Sequence, residues 1–168
     1  MSRDTYQHFW EDLKSGKFAS MVKESSKGRT VSNSSEVYNI LKPIFKEEDD
    51  VETIYGIFLD AKNHIIEIEK LFHGSITGST VYPREIVKKV LNHKAAAILL
   101  AHNHPSGDPA PSLEDREITA RVGFVLHAMG VAFHDHIIIG NGYHSKADAG
   151  CMKTVEKKYH NILRDLGF

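Results

Sequence analysis

The sequence predicts an α/β fold on three observations. The run Ala95-Ala96-Ala97-Ile98-Leu99-Leu100-Ala101 is continuously apolar, as a strand covered on both faces must be. Before it come two strand-like stretches and an amphipathic helix pattern, and strand, helix, apolar strand is the order of an α/β crossover. After it, a Pro/Gly-rich loop leads into a second long helix pattern, so helices and strands alternate through the second half of the chain.

The elements follow in order. Tyr6 to Glu24 carries Phe9, Trp10, Leu13, Phe18, Met21 and Val22 at roughly helical spacing and is expected to form one or two short helices, with Gly16 as a break. The polar Ser25-Ser26-Lys27-Gly28-Arg29 reads as a linker, which divides the chain into a helical extension at 1–29 and a main domain at 30–168. Asn33-Ser34-Ser35-Glu36 offers capping residues for a helix through Val37, Ile40, Leu41 and Ile44. After the acidic run Glu47-Glu48-Asp49-Asp50, Val51 to Leu59 is a strand candidate, Asp60-Ala61-Lys62-Asn63 a turn, and His64 to Phe72 its hairpin partner. Gly74 to Thr80 is a small-residue loop, and Pro83 suits the first turn of a helix through Ile86, Val87, Val90 and Leu91. Beyond the apolar strand, a helix is expected from Ser112 to Met129, stopped by Gly130. Two short strands, Val131–Phe133 and Ile137–Ile139, a tight turn at Asn141-Gly142 and a final amphipathic helix from Met152 to Leu166 complete the chain.

Length and composition bound the function. The 168 residues suffice for one domain with a core, and 41% apolar residues with mixed charge fit a globular protein. A net charge of -1 argues against a surface built mainly to neutralise phosphates. No apolar run reaches membrane-span length, and Met1-Ser2-Arg3-Asp4 has no signal-peptide pattern; with Cys151 as the single cysteine, a reducing cytoplasmic setting is expected. Any metal must therefore be held by histidine and carboxylate, with 11 His to draw on.

The chemistry concentrates at the end of the apolar strand. His102 and His104 are spaced as strand residues of one face, and strand ends in α/β folds are where ligands bind. Asp115 can reach them from the next helix, giving the two nitrogens and one carboxylate oxygen of a catalytic zinc site with its fourth position open. The plainer alternatives are two polar histidines in an exposed loop, and Ser112 with Asp115 as a capping box. Pro105, Pro109 and Pro111 restrict the loop between strand and helix. A nuclease is not read from His102-Asn103-His104, since the chain lacks a basic face. A base deaminase is not read either, since its Pro-Cys-x-x-Cys ligand pair is missing.

The string His102-x-His104-x(7)-Ser112-x(2)-Asp115 resembles the JAMM motif of JAB/MPN-domain metallopeptidases. Phe58-Leu59-Asp60, Leu71-Phe72-His73-Gly74, Val81-Tyr82-Pro83-Arg84-Glu85, His102 to Gly107 and Asp135-His136-Ile137-Ile138-Ile139-Gly140 resemble the RadC family, over roughly Thr30 to Met152. The resemblance implies a three-layer α-β-α sandwich with a mixed central sheet, related to cytidine deaminase, and zinc bound by His102, His104 and Asp115. It implies hydrolysis of a peptide or isopeptide amide, with a glutamate base that Glu52 fits by its place before Gly56 and Leu59-like positions, and with Ser112 as oxyanion donor. Glu67 and Glu69 are the next candidates for the base, while Glu85 sits where a helix dipole favours a carboxylate anyway. Asn103 is read as structural, and His73, His134, His136 and His144 as ordinary polar residues. Longer RadC proteins carry a helix-hairpin-helix DNA-binding region that Met1–Arg29 is too short to match. A peptide or protein is thus the expected partner. An accessory binding module linked to DNA repair or mobile elements is the alternative, and steep salt dependence of DNA binding would revive a nucleic-acid role.

Overall fold

A strand that is buried along its whole length needs cover on both faces, and the chain provides it with helices on either side of one sheet. The structure, a computed structural model, describes residues 11–12, 15–46, 50–74 and 81–167. Its elements are α1 (Lys17–Ser26), α2 (Ser34–Phe45), β1 (Thr53–Leu59), β2 (Ile65–His73), α3 (Pro83–Asn92), β3 (Ala97–Asn103), α4 (Leu113–Ala128), β4 (Ala132–Ile139), β5 (Tyr143–Ser145) and α5 (Cys151–Asp165). The sheet order is β2-β1-β3-β4-β5. β3 and β4 are parallel and the other neighbours antiparallel, so the sheet is mixed, with α4 as the crossover.

Alternation along the central strands sorts the core into two layers. Tyr55, Ile57, Leu99, Ala101 and Ile137 pack against Ala19 of α1 and Val37, Leu41 and Ile44 of α2. Ile54, Phe58, Ile98 and Leu100 pack against Ile86 and Val90 of α3, Ile118 and Val122 of α4 and Met152 of α5. The result is the expected three-layer α-β-α arrangement. His102 continues the Ile98, Leu100 face, and so points towards α4.

Local chemistry explains the boundaries. Asn33 caps α2 by accepting from the Glu36 amide at 2.9 Å, and Glu36 returns a bond to the Ser32 amide at 2.9 Å. Pro83 opens α3, and Ser112 with Asp115 forms a reciprocal capping box on α4.

Three parts of the structure differ from expectation. The two strands predicted at Val131–Phe133 and Ile137–Ile139 are one continuous β4. Phe133 pairs with Ile98 and Asp135 with Leu99, so His134 is an extra, bulged residue that breaks the period-two pattern. The short β5 lies past the turn at Asn141-Gly142 and was not foreseen. The Ser25–Arg29 segment is not a free linker: Ser25 and Ser26 belong to α1, Gly28 donates to Ile65 O at 2.8 Å, and Ile65 donates to Arg29 O at 2.9 Å. In α1 the buried residues are Ala19 and Ser26, whereas Phe18 and Met21 are exposed among the described residues. The expected helix over Tyr6 to Trp10, the acidic Glu47 to Asp49 and most of the Gly74 to Thr80 loop lie outside the described residues.

Candidate metal centre

β3 delivers His102, fully buried, and the chain leaves the sheet at His104, half-buried. The His104 amide donates to Ile139 O at 2.8 Å, which holds the exit against β4. Asp115, in the first turn of α4, points back at both rings. His102 Nε2 lies 3.0 Å from His104 Nε2 and 2.9 Å from Asp115 Oδ1, and His104 Nε2 lies 3.3 Å from Asp115 Oδ2. Ligands on a tetrahedral zinc, each roughly 2.0–2.1 Å from the ion, sit about 3.3 Å from each other. His102, His104 and Asp115 are accordingly a group that could hold a metal ion.

The hydrogen bonds behind the rings test that fit. His104 Nδ1 lies 2.7 Å from the Asp108 carbonyl, which can only accept, so Nδ1 carries the hydrogen and Nε2 of the neutral ring presents a lone pair. His102 Nδ1 lies 2.8 Å from His136 Nε2, and His136 Nδ1 lies 2.8 Å from Thr119 Oγ1. The Thr119 hydroxyl donates its one proton to Asp115 O and accepts from Lys146 Nζ at 2.9 Å. Thr119 must therefore accept from His136 Nδ1–H, which leaves His136 Nε2 to accept from His102 Nδ1–H. His102 Nε2 is then also a bare lone pair. With both rings neutral, two imidazole lone pairs and a carboxylate face one another within about 3 Å, an arrangement that a cation would satisfy.

Electrostatics favour this at His102 and His136 and oppose it at His104. Burial lowers the pKa of His102, and lowers that of His136 far below the ordinary range, which favours both rings neutral. The Asp115 carboxylate raises His104, and against the burial that would favour its neutral form, His102 and His104 hold Asp115 well below the usual carboxylate range. Burial brings Lys146 down to about 8.

The other predicted residues fall in three groups. Ser112 is the N-cap of α4: its Oγ accepts from the Asp115 amide at 3.0 Å, and its own amide donates to Asp115 Oδ2 at 2.7 Å. Extending the β1–β3 register from Ile54↔His102 by two residues puts Glu52 abreast of His104, and its charge acts on both histidines. Its carbonyl is fixed by the Gly74 amide at 2.9 Å. Glu67 is paired with Lys27 at 3.0 Å, and Glu69 with Lys89 and with His93 at 2.8 Å, all on the edge strand β2; Glu85 pairs with Lys88 on α3. Asn103 is structural, as expected, accepting from the Thr53 amide at 2.7 Å and donating to Val51 O at 3.1 Å. His73 lies 2.9 Å from Thr53 Oγ1 and His134 lies 2.9 Å from Asn63 Oδ1.

His136 is the residue that sequence reasoning passed over. It is not an ordinary polar residue but the buried partner of His102, with Thr119 and Lys146 behind it. The available signal was a histidine directly before the apolar run Ile137-Ile138-Ile139, where an ionisable side chain needs a partner.

The family model described as a RadC-like JAB domain matches residues 31–151. A UPF0758 protein of Actinobacillus pleuropneumoniae serotype 5b (strain L20) is 46% identical over 96 residues, covering 57% of this chain and 44% of that protein. UPF0758 proteins of Vibrio atlanticus (strain LGP32) and Thiobacillus denitrificans (strain ATCC 25259 / T1) are 41% identical over 117 residues and 40% identical over 131 residues. Those alignments cover 70% and 77% of this chain and 52% and 58% of the relatives. The chain thus spans about half the length of the curated relatives it matches. Among the described residues no helix is long and apolar enough to cross a membrane. With the family model covering most of the chain and the motif residues gathered at one strand end, the chain belongs to the RadC-like JAB domain family.

Proposed function

We propose that this chain is a zinc-dependent hydrolase of peptide or isopeptide amides. The observation that carries the proposal is the convergence of three ligand atoms, His102 Nε2, His104 Nε2 and an Asp115 oxygen, at the end of β3. Two nitrogens and one carboxylate oxygen suit zinc with a position left open, and zinc held there supplies Lewis acidity and a water acidified towards neutrality. The residues then divide the remaining work. His136 and Asp108 O fix the ring tautomers of His102 and His104. Ser112 Oγ accepts from the Asp115 amide, which leaves its hydroxyl proton to donate to an oxyanion formed at the substrate carbonyl. Glu52, abreast of His104, takes a proton from water and returns it to the leaving amine.

The test compares metal content and amide hydrolysis in wild type, His104→Ala and Glu52→Gln. Wild type should carry one zinc and hydrolyse a peptide or isopeptide substrate, His104→Ala should lose both, and Glu52→Gln should keep the metal while losing at least about 100-fold in rate. Unchanged hydrolysis in Glu52→Gln removes Glu52 as the base, and hydrolysis without metal removes the mechanism.

A further inference from the structure

A second concave site lies between α4, α5 and the segment from His144 of β5 to Ala149. Arg116, Ala120 and Phe124 recur every four residues and form one stripe of α4. With Thr154, Val155 and Lys158 of α5 they line a cavity of about 530 Å3. The cavity shares only Thr119 and Lys146 with the group behind His102.

Its charge is one-sided. Arg116, His144, Lys146 and Lys158 line it, and no lining residue is Asp or Glu. Among the described residues four lysines elsewhere pair with carboxylates: Lys17 with Asp12, Lys27 with Glu24 and Glu67, Lys88 with Glu85, and Lys89 with Glu69. Arg116, His144 and Lys158 make no ion pair among the described residues. Lys146 is only 2% exposed, yet among the described residues its three N–H donors have the single acceptor Thr119 Oγ1. Asp115 and Asp135 attract its charge at a distance and Arg116 repels it, but no carboxylate reaches its N–H donors among the described residues. A buried ammonium with unfilled donors beside an unpaired guanidinium costs stability unless an anion satisfies both. The rest of the lining, Ala120, Phe124, Ala149 and Val155, is apolar, and the volume falls within the roughly 300–1,000 Å3 of small-molecule sites.

We propose that this cavity binds a carboxylate carried on an apolar body, with Lys146 and Arg116 holding the carboxylate and Phe124 and Val155 packing the body. The ligand sits beside the metal centre without touching it, so the site does not depend on amide hydrolysis. Two sources supply that chemistry, the C-terminal residue of a peptide and a free organic acid.

The test is a 1H–15N NMR titration of the full chain with 3-phenylpropionate, its primary amide, N-acetyl-alanyl-phenylalanine and inorganic phosphate. The acid should shift the amide signals of Ala120, Phe124, Thr154 and Val155 saturably, and its amide should bind at least about tenfold more weakly. Because Lys146→Met removes a buried group and risks the fold, Arg116→Gln on the exposed face is the variant of choice, and it should weaken the acid about tenfold while leaving the remaining spectrum intact. Tighter binding of the dipeptide than of the free acid identifies a peptide terminus, and the reverse identifies an organic acid. Equal binding of acid and amide, an unaltered affinity in Arg116→Gln, shifts confined to other elements, or phosphate binding as tightly as the acid would each overturn the proposal.

Discussion

At Thr119 one hydroxyl has a single proton and three polar neighbours, and that count sets the tautomer of His136, which it touches, and of His102, which it does not. The proton goes to Asp115 O, so the hydroxyl accepts from Lys146 and His136, and the ordering passes through His136 to His102. Thr119→Val keeps the shape and removes the acceptor, leaving the buried His136 Nδ1–H without a partner. The expected cost is about 1–3 kcal/mol in denaturant unfolding, with a zinc affinity about tenfold or more lower, while Thr119→Ser restores both. Imidazole 15N shifts provide the check that simple destabilisation does not mimic: the pyrrole-like nitrogen of His102 should be Nδ1 in wild type and Thr119→Ser, and a mixture in Thr119→Val. The candidate ligands His102, His104 and Asp115 were legible in the sequence because they fall, with Ser112, within one short stretch. The supporting group was not, because His136 of β4, Thr119 of α4 and Lys146 in the turn after β5 are brought together only by the fold.

At the scale of elements, phase and close approach decide where these side chains go. Without the bulge at His134, the alternation from Phe133 would put His136 on the α1–α2 face; the extra residue turns it to the face of His102. The same bulge hid β4 from a search for strict alternation, and β5 is too short at three residues to leave a periodic signal. After β4 the chain passes against the loop that carries His104. A Cβ on Gly140 would lie 2.3 Å from Gly107 O and 3.1 Å from Pro109 N, both backbone atoms. Gly140→Ala should therefore displace the 105–109 loop, loosen the Asp108 O contact to His104 and lower zinc affinity about tenfold, measured by chelator competition, with the rest of the fold retained. In the β1–β2 hairpin, Asp60 accepts from the His64 and Lys62 amides and pairs with His64 Nδ1. The His64 amide bond is the main reason its pKa falls to about 2. A depressed carboxylate pKa contributes stability above the unfolded value near 3.9, and the contribution disappears as pH falls towards 2. The gap between wild type and Asp60→Asn in urea midpoint should therefore be present at pH 6 and shrink by pH 2.5.

Across the whole molecule, the two core layers meet the metal centre at the end of β3. The α/β class, the crossover and the order of the elements were readable from the sequence because long apolar runs and capping residues are local signals. The packing of Ala19 of α1 into the α2 layer was not readable, because Phe18 and Met21 carry the stronger apolar signal and yet face outward among the described residues. A cation bound by His102, His104 and Asp115 would tie the end of β3 to α4, two elements that otherwise meet through packing. Metal binding to the native state alone should stabilise the chain by about 4 kcal/mol when free zinc is 1,000 times its dissociation constant. The most direct measurement is a calorimetric zinc titration of the metal-free full chain beside its Asp115→Asn variant. The account predicts one equivalent bound by wild type with at least about 100-fold loss in the variant, because two imidazole lone pairs remain but the carboxylate charge is gone. Binding that is absent from wild type, or that survives unchanged in Asp115→Asn, would contradict it.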